Sequence, residues 1–167
     1  PSTLEGMDVQ ACLQDLVRTV YEHTLIHVYH DAVITEATGY VGNFVTKVQS
    51  ERGLTEIKHG ATVIAIGAQE YEPTEYLYGE DDRVLTQLEL GERIAQGEET
   101  LIHSQTLVMI QCVGCRQADR DYCARVCCSH AIKNALKLKA INPKMDIYIV
   151  FRDIRTYGLM EDYYREA

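Results

Sequence analysis

The chain has 167 residues, of which 46% are hydrophobic and 25% charged, and a net charge of −9. That length fits about one domain of the usual 100–200 residues, and the composition is that of a soluble globular protein, which excludes a disordered or a membrane-embedded class. No apolar run approaches the roughly 20 residues that span a bilayer, and no basic-then-apolar leader opens the chain, so a soluble cytoplasmic protein is expected.

The first periodic segment is MDVQACLQDLVRTVYEHT, where Val9, Leu13, Leu16, Val17 and Val20 recur at intervals of three and four residues. This spacing predicts an amphipathic helix with Asp8 as its N-cap. Cys12, beside the apolar stripe, reads as a small core residue. LIHVYHDAVITEATG, YVGNFVTKVQS and LTEIKHGATVIAIGA follow, rich in β-branched and aromatic residues and separated by Gly-containing turns. They predict an antiparallel meander leading into a buried strand over Ala61–Ile66. His27 and His30 are three apart, which in a strand puts them on opposite faces, so they and His23 imply no shared metal geometry.

The next stretch, YEPTEYLYGEDDRVLTQLELGERIAQGEET, combines a proline, acidic clusters and tyrosines with a short helix predicted over Gln87–Ala95. It reads as a connection between two units. TLVMIQCVG then predicts a buried strand, CARVCCSHAIKNALKLKAINP a helix starting near Cys123 and ending near Asn142, and MDIYIVFRDI another buried strand. Strand, helix and strand within about fifty residues make a βαβ unit with parallel strands, and the strand-to-helix connection is where such units bind ligands.

That connection holds five of the six cysteines, Cys112, Cys115, Cys123, Cys127 and Cys128. Disulfides that staple a small secreted domain close long loops, whereas clustering points to metal or redox chemistry in a reducing compartment. Neither G-x-G-x-x-G nor a P-loop pattern occurs in the chain, so the turn is not built for an ordinary dinucleotide phosphate. Thiolates select zinc, copper(I) or iron–sulfur clusters. Only Cys112 and Cys115 have the spacing of a structural zinc pair, and the adjacent Cys127 and Cys128 suit a cluster with separate iron corners better than a single tetrahedral ion. A structural zinc site, a dithiol pair of Cys112 and Cys115, and inert buried thiols remain the alternatives. Residues 1–110 carry 6 Lys or Arg against 18 Asp or Glu, and residues 111–167 carry 10 against 7. The cysteine-bearing end is thus mildly basic, which suits an anionic thiolate cluster. An acidic chain with no basic, aromatic-interleaved stripe is no candidate for nucleic-acid binding.

IQCVGCRQADRDYCARVCCSHAIKNALKLKAINP and DIYIVFRDIRTYGLMEDYYREA closely resemble the family of heterodisulfide reductase A-type flavoproteins. DVQACLQDL, GYVGNFVTKV and VIAIGAQEYEPTEYLYGEDDRVLTQLEL extend the likeness over nearly the whole chain. The resemblance implies an FAD- and iron–sulfur-containing oxidoreductase of anaerobic metabolism with a thioredoxin-reductase-like core, working with sibling subunits of the B and C types. The implied fold class is α/β: a Rossmann-like βαβ unit of the FAD/NAD-linked reductase type, plus the meander and its N-terminal helix. The implied organisation is a partial FAD-domain segment over residues 1–80, a connection over 81–105 and the cysteine-bearing βαβ segment over 106–167. ATVIAIGA resembles the strand that closes the family's FAD domain, with Ile66 where threonine is common and Gly67 after it; these two are the expected flavin contacts. The family's N-terminal dinucleotide loop is missing, so an internal fragment of a larger protein, inactive alone, is expected. The family shows serine at the position of Cys115, which implies Cys112, Cys123, Cys127 and Cys128 as the ligands of a [4Fe–4S] cluster. Arg116 and Arg125 are candidates for balancing its charge, Tyr122 is expected to pack, and no residue is a convincing acid, base or nucleophile.

Overall fold

A computed structural model describes residues 7–167. They divide into two compact units, Gln10–Gln69 and, together with the residues up to Val9, Glu70–Ala167. No helix among the described residues is long and apolar enough to cross a membrane.

In the first unit the amphipathic repeat forms α1, Val9–Glu22. Leu13, Leu16 and Val17 on its stripe are exposed, and Cys12 is only half-buried. The meander is formed by β1 (Val33–Tyr40), β2 (Asn43–Ser50) and β3 (Gly53–His59) in the order β1-β2-β3, antiparallel throughout. Its tight β1–β2 turn depends on Gly39, whose φ of 101° suits glycine and whose Cβ, if present, would run into the Asn43 carbonyl. Thr46 and Val48 of the central strand are buried. His30 stacks on Tyr21 with ring centroids 5.8 Å apart, so it packs locally.

The expected buried strand over Ala61–Ile66 is not formed. This segment has no strand assignment, and Val63, Ile64 and Ile66 are 79–91% exposed. A run that is apolar on both faces becomes a strand only between ladder partners, and none of the described strands pairs with it.

The second unit holds α2 (Gln87–Gln96), α3 (Glu99–Ile102), β4 (Thr106–Ile110), α4 (Cys127–Ile141), β5 (Asp146–Val150) and α5 (Met160–Glu166). β4 and β5 are parallel, with Leu107 opposite Ile147 and Ile110 opposite Val150, as a βαβ unit requires. Residues 81–105 are more than a connection, since Leu90, Ile94 and Leu101 join Met109, Ala131, Ala135, Leu138 and Met145 in one core. α2 starts at a capping box: the Thr86 side chain accepts from the Glu89 N–H while the Glu89 carboxylate accepts from the Thr86 N–H at 2.7 Å. It ends at Gly97, in the left-handed conformation of a C-cap. α2 meets α4 where Gly91 lies against Asn134, which is 1% exposed and donates to the Gln87 carbonyl.

α4 starts at Cys127, four residues later than its sequence suggests. Arg125 takes a φ of 64°, which a right-handed helix cannot contain, and its N–H donates to the Cys123 sulfur at 3.3 Å. The other end is as expected: Asn142 terminates the helix and donates to the carbonyls of Ile102 and Ser104.

Candidate metal centre

The cysteines occupy the connection from β4 to α4. Gln111 continues the β4 ladder by donating its N–H to the Val150 carbonyl at 2.9 Å, and the chain then turns sharply at Cys112, whose φ is 64°. Gly114 follows at φ 70°, packed so closely on the Tyr71 ring that a Cβ would collide with it. The Arg120 guanidinium lies over the same ring, 4.7 Å from its centroid. Mutual hydrogen bonds of Gln117 with Arg120, and of the Arg116 N–H with the Tyr122 carbonyl, close the loop as a hairpin.

α4 presents Cys127 and Cys128 in its first turn. Its N-cap, Val126, makes no side-chain cap hydrogen bond. Cys128 and Cys115 are buried at 3% and 5% exposure, while Cys112, Cys123 and Cys127 are half-buried. Burial, and then the nearby sulfurs of Cys128, Cys115 and Cys112, push the Cys127 thiol up to about 11. Cys128, Cys115 and Cys112 are thus electrostatic neighbours of Cys127. Cys123 accepts from the Arg125 N–H at 3.3 Å. All six cysteines are free thiols, and no group of three or more metal-ligating side chains is arranged to hold an ion among the described residues.

The donor set fits an iron–sulfur cluster by its chemistry: several free thiols stand at a strand end, in a loop and at a helix start, with the Arg116 guanidinium beside Cys112. Of the expected charge-balancing residues, Arg116 approaches sulfur, its Nη1 donating to Cys112 Sγ at 3.9 Å. Arg125 contributes through its backbone. Tyr122 does not pack, being 62% exposed. Sequence reasoning missed Asp153 and Arg155 in the loop after β5. Their only sequence signal is the charged run RDIR at a strand's carboxyl end. It also missed Gln111, 7% exposed, whose side-chain amide has no partner at either atom. Gln111 lines a cleft of about 420 Å³ with Cys112, Gln117, Phe151 and Arg152 at the carboxyl ends of β4 and β5.

Ile66 and Gly67 lie in the other unit. Ile66 is 91% exposed, and Gly67 has open space where a Cβ would stand.

No family model matches the chain. Among curated proteins, it is 39% identical over 127 residues to the iron–sulfur A-type chain of the CoB–CoM heterodisulfide reductase of Methanocaldococcus jannaschii, a match covering 67% of this chain and 19% of that protein. It is 38% identical over 126 residues to the A-type chain of the H2/formate:CoB–CoM heterodisulfide, ferredoxin reductase of Methanococcus maripaludis, covering 66% and 19%. It is 31% identical over 156 residues to the A-type chain of the ferredoxin:CoB–CoM heterodisulfide reductase of Methanosarcina acetivorans, covering 67% and 19%. The chain spans about a fifth of the length of these relatives. With an α/β fold and a cysteine-rich strand-to-helix connection, and with this identity over about two thirds of its residues, the chain is similar to a stretch of the heterodisulfide reductase A-type proteins.

Proposed function

We propose that this chain is the part of a heterodisulfide-reductase-type oxidoreductase that binds a [4Fe–4S] cluster at the β4–α4 connection. The observation that carries the reading is the placing of Cys112, Cys115, Cys123, Cys127 and Cys128 between β4 and the first turn of α4, at the carboxyl end of a parallel strand, where βαβ units place their ligands. Such a cluster supplies one-electron transfer. The chain's own residues bind it, keep it from bulk water and set its electrostatic surroundings, and none of them performs acid–base chemistry. Cys112, Cys127 and Cys128 are three of the ligands. The fourth is Cys123, as the family resemblance implies; the placement of Cys115 beside Cys127 makes it the specific competitor.

In the full-length protein the cluster would exchange electrons with the FAD that the resemblance implies and with partner subunits of the B and C types, in a reducing cytoplasm. Ile66 and Gly67 are the flavin contacts that the resemblance implies there. The test is iron and acid-labile sulfide analysis, with electron paramagnetic resonance on reduction, of the anaerobically prepared full-length protein and its Cys127→Ser variant. The variant is expected to contain about four fewer irons and sulfides. Metal lost without sulfide would establish zinc instead, and metal-free protein with a reducible Cys112–Cys115 disulfide would establish the dithiol reading.

A further inference from the structure

The cysteine loop, residues 112–122, is closed on itself and is fastened to its surroundings on both sides of Cys115. Inside the loop the Arg116 N–H donates to the Tyr122 carbonyl, and Gln117 and Arg120 exchange backbone hydrogen bonds. Those bonds persist if the hairpin moves as one piece. Before Cys115, Gly114 packs on the Tyr71 ring. After it, Arg116 is tied to the segment that follows β5: its carbonyl accepts from Arg152, and its guanidinium donates to Asp153 Oδ1. The other Asp153 oxygen accepts from Arg155 Nε at 2.9 Å, which fixes the carboxylate in place. Between these attachments Cys115 is only 5% exposed.

Two features work against the closed state. Cys112 and Arg116 have φ of 64° and 58°, in the left-handed region that residues with a side chain adopt at a cost. The ion pair that opposes this strain is open to water, with Arg116 at 20% and Asp153 at 46% exposure. Such a pair is weak and is screened by salt. A strained loop held by a weak, screened pair opens locally more readily than the packed core does.

We propose that residues 112–122 form a lid over the Cys115 thiol, latched by the Arg116–Asp153 ion pair, and that release of the latch exposes this thiol to solvent and to small thiol-reactive molecules. The lid requires only the thiol and its attachments, so it is independent of which cysteines bind metal.

The test is hydrogen–deuterium exchange of the anaerobic full-length protein, read by mass spectrometry over the loop and, as the internal control, over β4 and α4. It is paired with alkylation by iodoacetamide, in which the Cys115 sulfur displaces iodide and releases its proton to the buffer, on the same protein stripped of metal by a chelator. Asp153→Asn is expected to raise loop exchange and Cys115 alkylation about fivefold, as loss of a surface ion pair allows, with β4 and α4 unchanged and Asp153→Glu nearest to wild type. Raising the salt from about 0.01 M to about 1 M shortens the screening length from about 30 Å to about 3 Å. That change should speed loop exchange in wild type and leave Asp153→Asn unmoved. Loop exchange unaltered by Asp153→Asn overturns the latch, and so does an equal rise in β4 and α4, which marks general destabilisation. Loop exchange that rises without faster alkylation of Cys115 leaves a mobile loop that covers nothing, and overturns the lid. Should the variant fail to fold, the salt series on wild type decides: acceleration confined to the loop supports the latch, and none overturns it.

Discussion

The choice between Cys115 and Cys123 turns on two sulfurs eight positions apart in the chain. Cys115 is buried and is an electrostatic neighbour of Cys127, and Cys123 accepts from the N–H of Arg125. A thiolate already accepting N–H donors is well prepared as a ligand, because metal-bound sulfurs keep such bonds. Serine at position 112, 123, 127 or 128 is accordingly expected to abolish or sharply reduce the cluster content of anaerobic full-length protein, and Cys115→Ser to leave it nearly unchanged. Loss in Cys115→Ser with retention in Cys123→Ser would reverse the assignment. Gly114 is a second residue whose side chain, or lack of one, decides the local structure. With φ at 70° and the Tyr71 ring where a Cβ would go, Gly114→Ala combines backbone strain with a clash, and a loss of about 1–3 kcal/mol is expected in urea denaturation.

Among the elements, α2 shows how capping chemistry orders a segment that composition makes look like a linker. Thr86→Ala removes the acceptor for the Glu89 N–H and is expected to lower stability by about 1 kcal/mol. The Glu89 carboxylate is held below the ordinary carboxylate range, first by the Thr86 N–H and then by the Tyr78 hydroxyl and Arg93. A carboxyl whose pKa is depressed on folding adds stability above its unfolded pKa and loses it as pH falls through the folded one. The difference in stability between wild type and Glu89→Gln should therefore be largest near neutral pH and fade on acidification below the usual carboxylate range. A difference that stays constant through that range in denaturation curves taken at stepped pH would dissociate the capping box from ionisation. At the other end of the unit, α4 begins late because Arg125 breaks the helical path. The delay keeps Cys123 in the loop and places Cys127 and Cys128 in the first turn.

For the whole molecule, the core of the Glu70–Ala167 unit lies under the cysteine loop. Leu138 is fully buried among Leu90, Met109 and Met145, on the helix that carries Cys127 and Cys128. Leu138→Ala should cost about 2–5 kcal/mol in thermal or urea unfolding, as a cavity-forming change in a packed core does. The Gln10–Gln69 unit is organised differently. Its meander is closed by consecutive hairpins, while the α1 stripe and the Ala61–Ile66 run leave large apolar side chains exposed. Large exposed apolar surface of this kind belongs to segments that pack against other chain.

Much of this was determined by the sequence alone. The meander, the strand–helix–strand order of residues 106–150 and the place of the cysteines between strand and helix follow from local periodicity and turn residues, because each depends on neighbours within a few positions. The family likeness came from contiguous words of the same kind. Only the tertiary structure could decide the rest. Ala61–Ile66 reads as a buried strand, yet strand formation is settled by a ladder partner that no local pattern specifies. Residues 81–105 read as a connection, yet Leu90, Ile94 and Leu101 complete a core whose other half lies beyond position 106. The grouping of Cys115 with Cys127, and the Asp153 carboxylate that ties Arg116 to Arg155, join residues up to 39 positions apart in the chain. Side-chain contacts across such separations are set by how β4, β5 and α4 pack, and packing is a property of the folded chain rather than of any stretch of it.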